Sequence, residues 1–451
     1  MQRPGEGNIR ERDVGHKPAH RGAHHIILDR SQLYPAEAIK QAPGACTRHS
    51  SGNRLKRHGK PNLLILTSSF PRSARDETCG YVREFARRLA VDFNVRVLAP
   101  PDPSATPWPR DVFELTRSKS PPPCGLNAFR SASDLNDLLR AGLITRIVSF
   151  IAIVLFVIEA FRHARTSDVI CSHWMVPSGF AGALASVLHG KPHVVVEHAG
   201  ALHLLASTPC GRMMARFIIR HSSRVITVSS GLRRMLMEIA SEAEHKTDVI
   251  TMGYRIDGTP NEPGLRSGPA ARPMTALFLG RLTEIKGVEL LLDALRSLDD
   301  VRLIVAGEGR MRAALEMRAA GLSTKPSFLG EVGVEEKSAL LAGCDFVVIP
   351  SMVLPGGRAE GTPVVCLESL AAGLPVIASR SGGLADVIVD GYNGLLFEPG
   401  NCKELASAIR RLIDDPLLRN RLSANARLTA KEYDWDAISK KYSRSIMSAL
   451  G

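Results

Sequence analysis

Thr275-Ala-Leu-Phe-Leu-Gly280-Arg281-Leu-Thr-Glu-Ile-Lys286-Gly287 reads as a buried strand ending on glycine, a short charged loop, and the opening of a helix. Arg281 and Lys286 place two cations beside that helix N-terminus, a device suited to a departing diphosphate. Taken alone, the pair reads equally well as solvated surface charge. Strand, loop and helix together are the unit from which a parallel α/β sheet is wound. The alternation continues downstream, with strands predicted at 302–306, 326–329, 346–349, 375–378 and 394–397 and helices at 287–298, 310–319 and 335–342. Trp435 to Leu450 reads as a closing helix.

Upstream, residues 256–273 are dense in Gly and Pro and read as a linker. Before them a second series starts at Leu63-Leu-Ile-Leu66, with a helix over 81–90 and a strand at Val95-Arg-Val-Leu-Ala99. Strands follow at 168–171, 193–196 and 224–228, with helices at 179–189 and 211–221. Two doubly wound sheets in succession predict two Rossmann-like lobes, 61–255 and 274–433, facing a central cleft, with 434–451 closing the chain. Residues 1–60 carry twelve Lys/Arg against five Asp/Glu, six His and no hydrophobic periodicity, and read as a disordered basic arm.

At 451 residues the chain is too long for one ordinary core. Its 44% hydrophobic and 23% charged content describes a soluble globular protein. The net charge of +13 suits an anionic membrane surface, whereas 5% aromatics with no basic–aromatic stripe argue against nucleic acid as a partner. No apolar leader of the secretory kind is present in the basic arm, and eight scattered cysteines without a C-x-x-C pair fit a reduced, cytoplasmic protein. Ile147 to Ile158 is an uncharged run of twelve residues, closed by Arg146 and Glu159. A spanning helix needs about twenty, so the run reads as a buried helix or as one lying in a membrane interface.

The densest chemistry lies at Glu360-Gly-Thr-Pro-Val-Val-Cys-Leu-Glu368. The first carboxylate sits on a turn-forming Gly-Thr-Pro loop, and the second is expected where a small-residue helix begins. Carboxylates suit the hydroxyls of a sugar, and helix-start amides suit phosphates. Val305-Ala-Gly307-Glu-Gly309 lacks the full dinucleotide fingerprint and reads as a tight turn. Gly80 reads either as a phosphate approach or as a helix-start glycine. His198 follows a strand on the cleft side and reads as a substrate contact, while His173 reads as structural. Asp434-Trp-Asp436 has the shape of a metal-binding pair, but Asp434 reads as a helix cap. No Ser/His/Asp constellation or P-loop appears.

With Glu360–Glu368 and Gly280-Arg281…Lys286-Gly287 in this order, the chain resembles glycosyltransferase family 4, retaining enzymes of the two-lobed GT-B fold. The likeness covers 61–450 and extends to Asp345…Pro350-Ser351, Ser381-Gly-Gly383 and Asp390-Gly-Tyr-Asn-Gly394. Glu-Gly-x-Pro and His173-Trp174…Pro177-Ser-Gly179 are similar to transferases of exopolysaccharide and lipopolysaccharide assembly, which often act on lipid-linked acceptors at the inner membrane face. The resemblance implies that Glu360, with backbone at Gly361 and Thr362, binds the donor sugar and that Glu368 holds the ribose. It implies that Arg281 and Lys286 neutralise the diphosphate, Gly80 admits it to the first lobe, His198 meets the sugar near its reacting carbon, and Val332 faces the nucleobase. It also implies metal-independent chemistry with no cofactor beyond the nucleotide-diphosphate sugar. Three residues depart from the family pattern: Pro363, Cys171 and Ala201. A nucleotide-sugar 2-epimerase of the same fold, or a donor-binding scaffold without turnover, also fits these residues.

Overall fold

In the computed structural model, residues 59–73, 76, 79–102, 104–106, 108, 111–119, 143–254 and 273–451 are described. The arm read over 1–60 lies outside them except for Gly59 and Lys60, and the linker read over 256–273 except for Pro273. All described residues fall in one contact unit.

The first lobe runs β1 (Asn62–Thr67), α1 (Gly80–Leu89), β2 (Asn94–Ala99), β3 (Glu114–Arg117), α2 (Leu143–Ala164), β4 (Val169–His173), α3 (Phe180–His189) and β5 (His193–Glu197). It continues through α4 (Gly200–Ala206), α5 (Pro209–Arg220), β6 (Arg224–Thr227), α6 (Ser230–Ile239) and β7 (Thr247–Val249). Its strands pair in parallel in the order β3-β2-β1-β4-β5-β6-β7. Leu63, Leu64, Ile65 and Leu66 are all buried, because helices cover both faces of a parallel sheet.

The second lobe repeats the plan with β8 (Met274–Leu279), α7 (Val288–Ala294), β9 (Val301–Ala306), α8 (Arg312–Ala319), β10 (Ser327–Gly330), α9 (Val334–Gly343) and β11 (Phe346–Ile349). There follow α10 (Val364–Ala371), β12 (Val376–Ser379), α11 (Leu384–Val387), β13 (Gly394–Phe397), α12 (Cys402–Asp414) and α13 (Pro416–Ala430). The parallel order is β10-β9-β8-β11-β12-β13. In each sheet the winding reverses once, between β1 and β4 and between β8 and β11. Ligands of such sheets bind beyond the strand C-terminal ends at these reversals.

The last helix, α14 (Trp435–Met447), returns to the first lobe and joins its core through Trp435, Ile438, Tyr442 and Ile446. The Trp435 ring lies so close to Gly253 that a Cβ there would sit 2.6 Å from it. Tyr442 donates its hydroxyl to the Ile250 carbonyl at 2.7 Å, and Ser443 and Ser445 donate to Asp92 and Asp248. Asp434 accepts from the Asp436 amide at 2.6 Å and caps this helix.

Two expectations need correction. The apolar run read over 147–158 is the middle of a 22-residue helix, α2, because Arg146 and Glu159 are tolerated within it. Its Arg146–Ala164 stretch is long and apolar enough to cross a membrane by length and composition, and 28% of it is buried. Glu368 does not start a helix: α10 begins at Val364, and Glu368 is its fifth residue. Pro363 occupies the N-cap with φ −61°, pre-set for a helix start and with no N–H to satisfy.

Candidate active site

The floor of the cleft is the pair of turns that leave β8 and β11. Gly287 has φ 66°, and a Cβ there would stand 1.9 Å from the Pro350 carbonyl oxygen, so only glycine lets the two turns close on each other. That contact delivers Lys286 to Glu360, Nζ to Oε1 at 2.6 Å, with both side chains about 15% exposed. Ser351, just after β11, donates to the other Glu360 oxygen at 2.5 Å. The Ser351 carbonyl is held in turn by the Ser379 hydroxyl at 2.6 Å. Gly382, at φ 53°, packs its backbone against the Glu360 carbonyl, where a Cβ would come within 1.9 Å. Glu360 is therefore fixed from three sides.

Glu368 is 6% exposed and pairs with Lys337 of α9, Nζ to Oε1 at 2.6 Å. Val332 lies in the loop that opens the same helix, packed on the apolar cluster between α9 and α10. Each of the two glutamates thus stands in a partly dry wall with one lysine on it. Breaking such a pair leaves an uncompensated charge, whereas a ligand offering hydroxyls and phosphates can exchange with it.

The ceiling belongs to the first lobe. Gly80 is the first residue of α1, after Cys79 in the left-handed region at φ 56°. His198 follows β5, and its Nε2 lies 2.9 Å from Nδ1 of His173, the last residue of β4. The two rings stack at 5.1 Å, and Tyr81 and Trp174 approach His198 at 5.2 and 4.8 Å. Phe85 meets His173 edge-on at 4.6 Å. Burial pushes His198 down to about 3 and His173 well below its ordinary value, with His198 adding to the shift on His173. Both rings are neutral near pH 7. The Nε2 of His173 is buried without a partner, and an orphan N–H there would be costlier than a bare ring nitrogen. His173 therefore carries its hydrogen on Nδ1 and donates to His198, which leaves His198 with an N–H on Nδ1.

Glu197 anchors this ceiling. Its buried carboxyl accepts the Met175 amide on one oxygen and the Ala199 and Leu202 amides on the other, at 2.8, 3.1 and 3.2 Å. Burial raises its pKa, and these amides oppose the rise. Cys79, Trp174 and Ala199 are the non-glycine residues with positive φ among those described, and all three flank this part of the cleft. Strain of that kind persists where the surroundings over-determine it.

The lobes touch at the site. A Cβ on Gly361 would lie 3.0 Å from the His198 carbonyl oxygen, and the Thr362 hydroxyl donates to the Val228 carbonyl at 3.1 Å. Asp386 accepts the Ser230 amide at 2.7 Å and the Ser230 hydroxyl. Arg281 is exposed, and its charge bears on both Cys79 and Tyr81, whose pKa values burial raises. The structure thus brings Glu360, Lys286, Gly361, Thr362 and His198 to one place, with Arg281 opposite the Gly80 end of α1. Glu368 and Val332 form a separate group on α10 and the α9 loop. Sequence reasoning missed Lys337, Tyr81, Asp386 and Ser230. A lysine on a helix face or a serine after a strand carries no local signal, and only the fold reveals its partner.

Residues 80–253 match the family of glycosyl transferase 4-like domains, and residues 266–429 match the group 1 glycosyl transferases. An uncharacterized glycosyltransferase of Methanocaldococcus jannaschii is 31% identical over 271 residues, covering 60% of this chain and 72% of the relative. A second from the same organism is 33% identical, covering 61% and 73%. In three dimensions the chain is similar to Anabaena HepE, solved in complex with UDP, at TM-score 0.64 and 21% identity, covering 86% of this chain and 100% of that one. The chain belongs to glycosyltransferase family 4 and is built on the GT-B fold.

Proposed function

We propose that this glycosyltransferase moves a sugar from a nucleotide-diphosphate sugar to a hydroxyl of a glycan or lipid-linked acceptor, with retention at the anomeric carbon, in the assembly of a surface polysaccharide. The observation that carries the reading is the Lys286–Glu360–Ser351 cluster at the β8/β11 reversal, facing His198 across the cleft. When the donor enters, its hydroxyls take over Glu360 and its diphosphate takes over Lys286, joined by Arg281. Glu368 accepts from the ribose, and backbone at Val332 borders the base. Amides of the first turns of α1 and α10 add fixed dipoles toward the phosphates.

The bond from the anomeric carbon to the diphosphate oxygen breaks as the acceptor oxygen bonds that carbon on the same face. The acceptor's proton passes to the leaving diphosphate. Arg281 and Lys286 meet the charge building on that group, so the step is proposed to run without a metal. His198, neutral and with its Nδ1–H available, lies nearest the reacting carbon and orients the sugar by donating to one of its oxygens without adding positive charge.

HepE is described in complex with UDP and with UDP-glucose, which makes uridine donors the first to try. The reading places the enzyme in the cytoplasm, at the inner face of a membrane when the acceptor is lipid-linked. A thermal-shift panel of UDP-, GDP- and ADP-sugars identifies the donor base, since a bound ligand stabilises the fold by mass action. Transfer is then measured for wild type, Lys286→Ala and Glu360→Ala. Loss of product in both variants is expected, and unchanged product formation in both contradicts the site. An epimer formed from the donor alone would instead indicate an epimerase.

A further inference from the structure

Helix α2 is apolar on two opposite sides. One side, with Ser149, Ala152, Phe156, Ala160 and Ala164, is buried, and Phe156, Ala160 and Ala164 pack on Leu64, Leu66 and Ile170 of the sheet and on Ala181 and Ala185 of α3. The other side carries Ile147, Phe150, Ile151, Val154, Ile158 and Phe161, all exposed, with Phe150 at 67%. Their spacing follows i, i+3, i+4, i+7, so they form one unbroken strip on the solvent side, where a surface helix ordinarily carries polar residues. A strip of this kind on a soluble chain marks an interaction face.

What lies around the strip decides what it meets. Phe161 stacks on His189, the last residue of α3, at 4.1 Å, and Val187 and Leu188 beside it are exposed. Next to them opens a hollow of about 420 Å³ lined by Val187, Lys191, Arg220 and His221. Lys246 already caps the C-terminal carbonyls of α5 at Ile219, so Arg220 is not needed there. Arg162, Arg165, Lys191 and Arg220 have no carboxylate partner among the described residues, and Glu159 is the one acid within α2. An apolar strip continuous with a cationic hollow offers acyl chains one surface and phosphate groups the other.

We infer that the exposed strip of α2 and the Lys191–Arg220 hollow form one surface that docks the first lobe on a bilayer containing anionic phospholipid. The helix lies in the interface and does not cross it, because crossing would strip Phe156, Ala160 and Ala164 from the sheet. The inference deepens the reading of an inner-face enzyme, and its observations are independent of the donor site. The cations add to binding as their number near the surface grows, and salt weakens that part alone.

Full-length protein is sedimented with vesicles of phosphatidylcholine, with and without roughly one-third phosphatidylglycerol. The anionic vesicles are expected to bind at least about tenfold more tightly, with most of that gain lost in roughly 0.5 M salt. Phe150→Glu with Val154→Glu is expected to abolish binding to both vesicles. Arg162→Glu with Arg220→Glu is expected to remove only the preference for phosphatidylglycerol. All four substituted residues are exposed, and unchanged melting temperatures and nucleotide-sugar thermal shifts confirm that the variants fold. Wild type remaining in the supernatant, the Phe150→Glu, Val154→Glu variant sedimenting as wild type does, or the arginine variant keeping the preference for phosphatidylglycerol overturns the inference. So does a dimer that the Phe150→Glu, Val154→Glu variant splits, since a second copy would then cover the strip. Loss of the nucleotide-sugar shift with vesicle binding intact would overturn the donor reading alone.

Discussion

The two lobes share a winding and present the same topological reversal to the cleft, yet they fill it with opposite chemistry. At the β8/β11 reversal the second lobe sets two carboxylates, each clasped by a lysine, with a further arginine at the rim. At the β1/β4 reversal and just beyond it the first lobe sets two neutral histidines among Tyr81, Trp174 and Phe85. One fold position can therefore be charged or neutral. In the proposed reaction the charged lobe would meet the leaving diphosphate, and the neutral aromatic lobe would border the sugar without adding positive charge beside its reacting carbon.

The largest expected break of this contrast is on the charged side. Lys286→Ala should lower transfer by about 10³-fold, the scale of losing a preorganised charge at a developing anion, and should also lower the melting temperature because Glu360 loses its counter-charge. Steady-state kinetics with a saturating donor checks this. On the neutral side His198→Ala should cost about 10²-fold in kcat. His173 acts through His198, so His173→Phe should cost about tenfold in kcat while leaving the KM for donor unchanged, because it loosens His198 without touching substrate. A fall in melting temperature and in active-enzyme fraction that accounts for the whole loss of kcat would show that His173 is merely structural.

How much of this was legible beforehand depended on whether a signal was local. Apolar runs such as Leu63–Leu66 and Phe346–Ile349 announced buried parallel strands, and the structure has both. β3 and β7 went unread because Glu114-Leu-Thr-Arg and Thr247-Asp-Val are short, polar edge strands with no apolar run. α10 was misplaced because Val364-Val365 is β-branched and Pro363 looked like loop. The Glu360 and Lys286 positions were readable from their loops. Their ion pair was not, since it joins residues on different turns through the approach of Gly287 to Pro350. Lys337 gave no sign at all until α9 was seen lying against α10.

The neutral character of the first lobe can be sharpened by acid. His193 is fully buried between Ser172 and Ser222, and burial holds it down to about 3. The unfolded chain protonates it near 6.5 and the folded one does not, so stability falls as pH drops from about 6.5 toward 3 and is unaffected above that window. The slope from this residue is about 1.4 kcal/mol per pH unit, and urea unfolding of wild type against His193→Gln measures it. A smaller effect is expected where the lobes meet. Asp386→Ala removes the acceptor for Ser230 and should weaken donor binding by about threefold by easing the lobes apart, read by titration calorimetry.

The most direct measurement is a crystal of the enzyme soaked with UDP. The account predicts the two phosphates within hydrogen-bond reach of Lys286 Nζ and the Arg281 guanidinium, with the Lys286–Glu360 pair opened. Phosphates bound elsewhere, with that pair still closed at 2.6 Å, would contradict it.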